Sequence, residues 1–182
     1  MIKDQKIKDF LNDLASKKPV PGGGAVSALA GAIAAALVAM VANLTIGKEK
    51  YQEVEYDFKK ILAKAEELKE QLTRLADEDC FAYQAVVKTK SQEAMKTAAE
   101  VPLLTAQKAL EVLKLASFAA HKGNQNAVSD ARCAIELATA AIYGAMENVR
   151  INLPYIEDKK FVRQLKSGIK KILTGAEEGV EK

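Results

Sequence analysis

The stretch GGGAVSALAGAIAAALVAMVANLTIG, Gly22–Gly47, carries no charged residue, and its reading decides the fold. It is long enough to cross a bilayer. Its composition argues against that, because Ala, Gly and Ser dominate and only a few Leu, Ile, Val and Met raise its transfer free energy into lipid. No Trp or Tyr anchors either end, and the segments around it are charged. Ser27, Gly31, Ala35 and Ala39 recur every four residues, a small-residue ridge that lets helix backbones approach closely. The stretch therefore reads as the buried central helix of a bundle and not as a membrane span. The same ridge points to a homodimer formed by helix packing.

The rest of the chain agrees with a bundle. Its 182 residues suit one domain, 1–182, able to bury a core without staples. Hydrophobic residues make up 49% and charged residues 28%, a globular balance. With no Trp, five Phe and five Tyr, the core must be aliphatic, and the abundance of Ala over β-branched residues favours helices. A net charge of +3 with interspersed signs excludes a nucleic-acid footprint but tolerates a small anionic ligand. Cys80 and Cys133 are too few for a disulfide framework, and the lone His121 removes most zinc chemistry. The opening MIKDQKIKDFLNDLASKK is charged and amphipathic, without a signal-peptide core, so a reducing cytoplasm is the expected location.

Periodicity predicts a first amphipathic helix over 3–16, with Ile7, Phe10, Leu11 and Leu14 on one face. Pro19 and Pro21 break it before the uncharged helix. One long charged helix is expected over 48–90, since neither Gly nor Pro interrupts it. A helix containing Pro102 runs to about His121 and stops at Lys122-Gly123-Asn124, with Gly123 as its C-cap. Another covers 129–153, and Pro154 opens a last helix over 155–174 before a frayed tail, GAEEGVEK. The expected class is all-α: a single-domain helical bundle with a long charged helix and a buried Ala/Gly-rich helix.

Polar residues interrupt this pattern in three places. On the long helix, Ile61, Ala65, Leu68, Leu72, Leu75, Ala76, Tyr83 and Val86 fall on one face, and Asp79 sits at its centre while Asp77 and Glu78 point away. Such a carboxylate must be ion-paired, cap a neighbour, be protonated or be used, because burying it alone costs several kcal/mol. Asp57 lies near the same stripe, so the pattern is not specific by itself. The second place is GNQNAVSD, 123–130, where capping explains one or two short polar side chains but not all. Downstream, the stripe Ala134, Ala138, Ala141 and Ala145 continues into Asn148 and Asn152, residues suited to bridging buried backbone. The third is Pro21-Gly22-Gly23-Gly24, whose free amides at a helix start can hold an anion, although it is neither a Walker loop nor a Rossmann turn. His121 at a helix end suits the macrodipole.

These segments are where the chain resembles a known family, formiminotetrahydrofolate cyclodeaminase and its relatives the methenyltetrahydrofolate cyclohydrolases. In the bifunctional formiminotransferase-cyclodeaminases this module is the C-terminal half. The matching pieces are Pro-Val-Pro-Gly-Gly-Gly (19–24), Met-Val-Ala-Asn-Leu-Thr-Ile-Gly-Lys (40–48), Asp77-Glu78-Asp79 with Ala82-Tyr83, and Val101-Pro102-Leu103. They continue with Gly123-Asn124 and Ser129-Asp130, then Asn148-Val149 and Ile151-Asn152-Leu153, in family order over nearly the whole chain. After the acidic segment the bifunctional proteins carry Leu-Pro-Lys where this chain reads Val87-Lys88-Thr89-Lys90-Ser91, an altered loop beside the substrate. His121 and Arg150 lie outside the shared pattern and are assigned no catalytic role.

The resemblance implies an enzyme of folate one-carbon chemistry. N10 of tetrahydrofolate attacks the N5-formimino carbon, and ammonia leaves to give the 5,10-methenyl cation; the cyclohydrolase adds water to that cation. Both reactions need a carboxylate near developing positive charge and a carrier for one proton. The implied catalytic residues are Asp79 and, held by Ser129, Asp130. Asn124, Asn148 and Asn152 are implied to hydrogen-bond the pterin, and Gly22, Gly23, Gly24 and Lys48 to receive the glutamate carboxylates. No metal or redox cofactor, nucleic acid or membrane is implied; the partner is the folate substrate. The rival from another class is a non-catalytic helical scaffold.

Overall fold

The computed structural model describes residues 1–180, which hold six α-helices and no strand. They are α1 (Ile7–Leu14), α2 (Gly23–Thr45), α3 (Glu55–Thr89), α4 (Gln92–Lys122), α5 (Val128–Asn152) and α6 (Lys159–Val180), with short 3₁₀ turns at Ile2–Asp4, Glu49–Val54, Gln125–Ala127 and Leu153–Tyr155. The uncharged stretch is α2, at the centre of the bundle, packed chiefly on α3 and α5 with α4 behind. Both main neighbours run antiparallel to it. A Cβ at Gly31 would meet Leu72 of α3 at 3.2 Å and Ala141 of α5 at 3.6 Å, and one at Gly144 of α5 would meet Ser27 at 2.5 Å.

The small-residue ridge is thus used inside one chain. Ser27, Gly31, Ala35 and Ala39 are all buried, as are their α5 counterparts Ala134, Ala138, Ala141 and Ala145. The ridge is therefore not available to a second copy, which removes the ground on which it pointed to a homodimer. The opposite face of α2 remains exposed: Ile33 is 55% accessible, Leu44 41% and Met40 38%.

Several boundaries differ from expectation for local reasons. The long helix begins at Glu55, because Glu49–Val54 winds as 3₁₀ with Tyr51 at φ −115°. Gly123 ends α4 in an extended conformation (φ −80°, ψ −175°), not a left-handed cap. Its glycine is a packing requirement, since a Cβ would lie 2.5 Å from the Ala119 carbonyl and 3.1 Å from Val41. Pro154 sits in the 3₁₀ turn, and α6 starts only at Lys159 and continues through most of the expected tail; Glu181 and Lys182 lie outside the described residues. Asp77 does not face solvent, because the N-terminal turn folds over it and the Ile2 N–H donates to Oδ1 at 2.6 Å. The first helix is shorter than 3–16 and buries none of its residues, leaving Ile7 79% and Leu11 54% accessible.

Pro102 lies inside α4, where a proline removes one hydrogen bond and costs about 3 kcal/mol. The carbonyl it leaves without an intrahelical donor is that of Ala98, four residues earlier. Asn152 of α5 supplies the missing donor: its Nδ2 reaches the Ala98 oxygen at 2.9 Å and its own Asn148 oxygen at 2.8 Å. An asparagine at 152 and a proline at 102 are therefore one device that ties α5 to α4. Asn152→Ala is expected to destabilise the protein by about 1–3 kcal/mol, the cost of an unsatisfied buried carbonyl. In a Pro102→Ala background, where residue 102 regains its N–H, the same change should cost measurably less. Denaturant unfolding of the four proteins in this cycle checks the coupling.

Candidate functional site

The amino end of α2, the second half of α3, the start of α4 and the end of α5 converge around a cavity of about 580 Å³. That size is typical of a small-molecule site. Its walls include Pro19, Val20, Gly22, Gly23, Gly24, Asp79, Ala82, Tyr83, Val86, Met95, Ala98, Asn148, Ile151, Asn152 and Tyr155. Most of this surface is apolar or aromatic, and Asp79 is the one carboxylate on it.

Asp79 is placed by the absence of a side chain opposite. α2 starts with the N-cap Gly22, which has no side chain to satisfy the first amides. The Asp79 carboxylate takes that role from α3 and accepts the Ala25 N–H. It fits because position 24 is glycine; a Cβ there would overlap the carboxylate. Burial pushes the Asp79 carboxyl above its usual range, and the Ala25 amide only partly opposes this. Among the described residues no lysine, arginine or histidine forms an ion pair with it. The capping and functional readings of this residue thus meet in one geometry: it caps a helix and faces a cavity. Beside it, Cys80 is a buried thiol pushed up to about 11 by burial and by Asp79 and Asp77, which keeps it protonated and inert near neutral pH.

Asn148 and Asn152 reach the same cavity from α5. Asn148 Nδ2 donates to the Gly144 carbonyl at 2.8 Å, so its Oδ1 is left as an acceptor next to Gly23. The backbone-bridging role expected of these asparagines is present in both, and both also line the cavity.

The other expected site residues lie at the far end of α2, about 33 Å away along the helix. Asn124 is buried and structural: its N–H donates to Thr45 Oγ1 at 3.0 Å, its Nδ2 to the Leu44 carbonyl at 2.8 Å, and its Oδ1 accepts the Asn126 N–H. Ser129 and Asp130 open α5 at that same end, with Ser129 exposed and Asp130 half-buried. No hydrogen bond joins Ser129 to the Asp130 carboxylate among the described residues, so Ser129 does not hold it. Lys48 is exposed just beyond α2. Within one chain, then, Gly22, Gly23, Gly24, Asp79, Asn148 and Asn152 come together, and Lys48, Asn124, Ser129 and Asp130 do not join them. Of the amides at the start of α2, that of Ala25 is directed to Asp79.

Ile151, Tyr155 and Met95 were not apparent from the sequence. Ile151 and Tyr155 are 68% and 63% accessible at the cavity mouth, and Met95 is half-buried in its wall. Large apolar side chains left in water at the end of α5 were the available signal. The turn with the altered Lys88-Thr89-Lys90 sequence is flanked by two lining residues, Val86 and Met95, so it borders the cavity. Lys90 is left-handed there (φ 52°) and Ser91 caps α4 by accepting the Ala94 N–H.

An all-helical bundle with a buried carboxylate at a glycine-opened helix start is the arrangement that comparison with known proteins now places. The formiminotransferase-cyclodeaminase family model matches residues 6–171, and the chain belongs to that family. It is 42% identical over 180 residues to a methenyltetrahydrofolate cyclohydrolase of Methylorubrum extorquens, covering 90% of this chain and 86% of that one. It is 27% identical to the formimidoyltransferase-cyclodeaminase of Gallus gallus, covering 93% of this chain but only 34% of that longer protein. Its fold superposes on the crystal structure of a formiminotetrahydrofolate cyclodeaminase from Thermotoga maritima with a TM-score of 0.96 at 32% identity, over 100% of this chain and 94% of that one.

Because the carboxylate occupies the space a Cβ would need, Gly24→Ala should displace Asp79 from the Ala25 amide. The expected cost is about 1–3 kcal/mol. In an Asp79→Ala background the same substitution has room, and its cost should shrink to less than about 1 kcal/mol. Thermal midpoints of the four proteins test this.

Proposed function

We propose that this chain is a folate one-carbon enzyme that converts 5-formiminotetrahydrofolate to 5,10-methenyltetrahydrofolate with release of ammonia. The observation that carries the reading is Asp79, a single desolvated carboxylate held at a helix start and facing a cavity of small-molecule size. From the protonated formimino group, attack by N10 forms the N10–carbon bond and leaves a proton on N10. Asp79 takes that proton and passes it to the amino nitrogen; the carbon–nitrogen bond breaks, ammonia departs and the methenyl cation remains. The same carboxylate then faces the cation charge from a largely apolar wall, where its effect exceeds that in water. A carboxyl raised by burial toward the working pH is suited to accept and return a proton. The Tyr83 and Tyr155 rings at the mouth offer flat surfaces for the substrate's rings, and Asn148 Oδ1 an acceptor for a pterin N–H.

A second reading, hydrolysis of the methenyl cation to 10-formyltetrahydrofolate, is favoured by the 42% identity to the cyclohydrolase. It uses the same carboxylate to take a proton from the attacking water. We further propose a cytoplasmic location and a homodimer, the latter supported by the exposed apolar faces of α1 and α2.

Absorbance at the methenyl band separates the readings: a rising signal from the 5-formimino substrate means cyclodeaminase, and a signal falling from the methenyl substrate faster than the spontaneous rate means cyclohydrolase. Neither change would refute an enzyme of this chemistry and leave the scaffold. Asp79→Asn should lower kcat by about 10² or more, because the amide neither carries a proton nor offsets the cation. Stability should move the other way. The native carboxyl lies above the ordinary aspartate value of 3.8, so the native state binds more protons than the unfolded chain, and stability falls as pH rises from there through the native value. Asp79→Asn removes that penalty, so its thermal midpoint should equal or exceed that of the parent at neutral pH and lose the advantage below pH 3.8. A folded variant with parental kcat would sink the assignment.

A further inference from the structure

Tyr155 stands at the cavity mouth on a turn with little hold on itself. Leu153–Tyr155 is a single 3₁₀ turn, and its closing bond, from the Ile156 N–H to the Leu153 carbonyl, is long at 3.3 Å. The tyrosine side chain is exposed, so its own packing does not fix the turn either. Ordering one residue's backbone costs about 1–2 kcal/mol of entropy, and a ring that keeps one place therefore needs its turn held from outside.

The first two turns of α4 hold it. Gln92, half-buried, uses both ends of its amide on the main chain: Nε2 donates to the Tyr155 carbonyl at 3.2 Å, and Oε1 accepts the Glu157 N–H at 2.9 Å. One side chain thereby makes the pair of bonds that a residue of a parallel strand would make across Ile156. One turn further along α4, Lys96 reaches Asp158 Oδ2 at 2.8 Å, and Asp158 Oδ1 accepts the Lys160 and Phe161 N–H groups at 3.0 Å each. Between these polar ties Ile156 is buried in a small cluster with Ala99 and Leu165. Ile156 and Asp158 suffice to anchor the link from α5 to α6. Neither acts on residue 155, whereas the Gln92 bond fixes the peptide plane at Tyr155 and so the direction in which its side chain leaves the backbone. With only two side-chain torsions, a tyrosine anchored there loses little further entropy on meeting a ligand.

The substrate's chemistry says what that ring meets. N10, whose proton Asp79 takes, is the anilino nitrogen of an aminobenzoyl ring. With the reacting carbon beside Asp79 in the wall, that ring lies outward, toward the exposed Tyr155 at the mouth. We propose that Gln92 is a positioning residue: its amide clamps the main chain on both sides of Ile156 and so holds the Tyr155 ring at the cavity mouth, where it stacks on the aminobenzoyl ring of the substrate. The ligand's identity rests on the folate reading; the clamp does not.

A cycle of four proteins tests this. Gln92→Ala should raise KM about threefold to tenfold, the worth of one aromatic pair, and leave kcat within about twofold. Gln92→Glu keeps the acceptor for Glu157 but loses the donor to Tyr155, and should match it. Tyr155→Ala should raise KM to the same extent, and Tyr155→Phe should keep the parental value because the ring face is what is used. The double variant Gln92→Ala/Tyr155→Ala should be no worse than Tyr155→Ala alone, since Gln92 acts through that ring. The Kd for tetrahydrofolate, which has the aminobenzoyl ring but no reacting carbon, should follow the same pattern. Parental KM and Kd in Gln92→Ala, or effects of the two changes that multiply, would overturn the positioning role. Hydrogen exchange reads the clamp without a ligand: the Glu157 N–H should exchange about fivefold faster or more in Gln92→Ala, and an unchanged rate would overturn the clamp. A parent that binds tetrahydrofolate but turns over neither folate refutes the proposed reaction, and the Kd cycle then decides on Gln92. A parent that binds no tetrahydrofolate overturns the stacking together with the folate reading, and faster exchange at Glu157 would then uphold the clamp alone.

Discussion

Everything in this bundle depends on how closely α3 and α5 approach α2. A helix of leucines would hold its neighbours about 10 Å away, whereas Ala, Ser and Gly let them settle nearer. Three contacts mark the approach: Leu72 against Gly31, Ser27 against Gly144, and Asp79 against Gly24. The first two are packing. The third uses the same missing side chain to bring a carboxylate to the bare Ala25 amide, so the contact that closes the amino end of the bundle also sets a desolvated carboxylate in the cavity wall. A glycine chosen for flexibility would be dispensable here; these are present for space.

The cavity is polar only where the backbone requires it. Pro102 strands the Ala98 carbonyl, Asn152 satisfies it, and Asn148 in turn secures the helix turn below. Asp79 satisfies α2 in the same manner. Asp79, Asn148 and Asn152 thus each have a structural duty that also fixes the side chain's rotamer. Sorting these residues into structural or functional is a false choice, since the structural bond is what holds the free atom toward the cavity.

The fold was legible because its signals are local. Periodicity, prolines and the uncharged run identified the long helices, and misplaced only ends where tertiary contact decides: Gly123 fits beneath Val41, and Asp77 is covered by a turn 75 residues away in sequence. The site was half legible. Asp79 stood out because a carboxylate violates an apolar stripe, and the glycine turn because it precedes a helix. That these two are partners depends on the antiparallel register of α2 and α3, which no local pattern encodes. Asn124 shows the converse: its polarity is striking in sequence, but it is spent on tying the α4–α5 turn to the end of α2.

The uncharged helix was the hardest to read, for a physical reason. Mean hydropathy over its best window is 2.3, yet only 61% of that window is buried within the chain. A helix apolar on every side belongs wholly inside something. One side of α2 is built mainly of Ala, Gly and Ser because its neighbours are backbone-close, with Val38, Val41 and Thr45 toward its carboxyl end; the other carries Ile, Leu and Met. Hydropathy scores both sides alike, and only the size of the side chains separates them. Small residues mark where α3 and α5 come closest, and the larger ones stand where no other helix of the chain covers them.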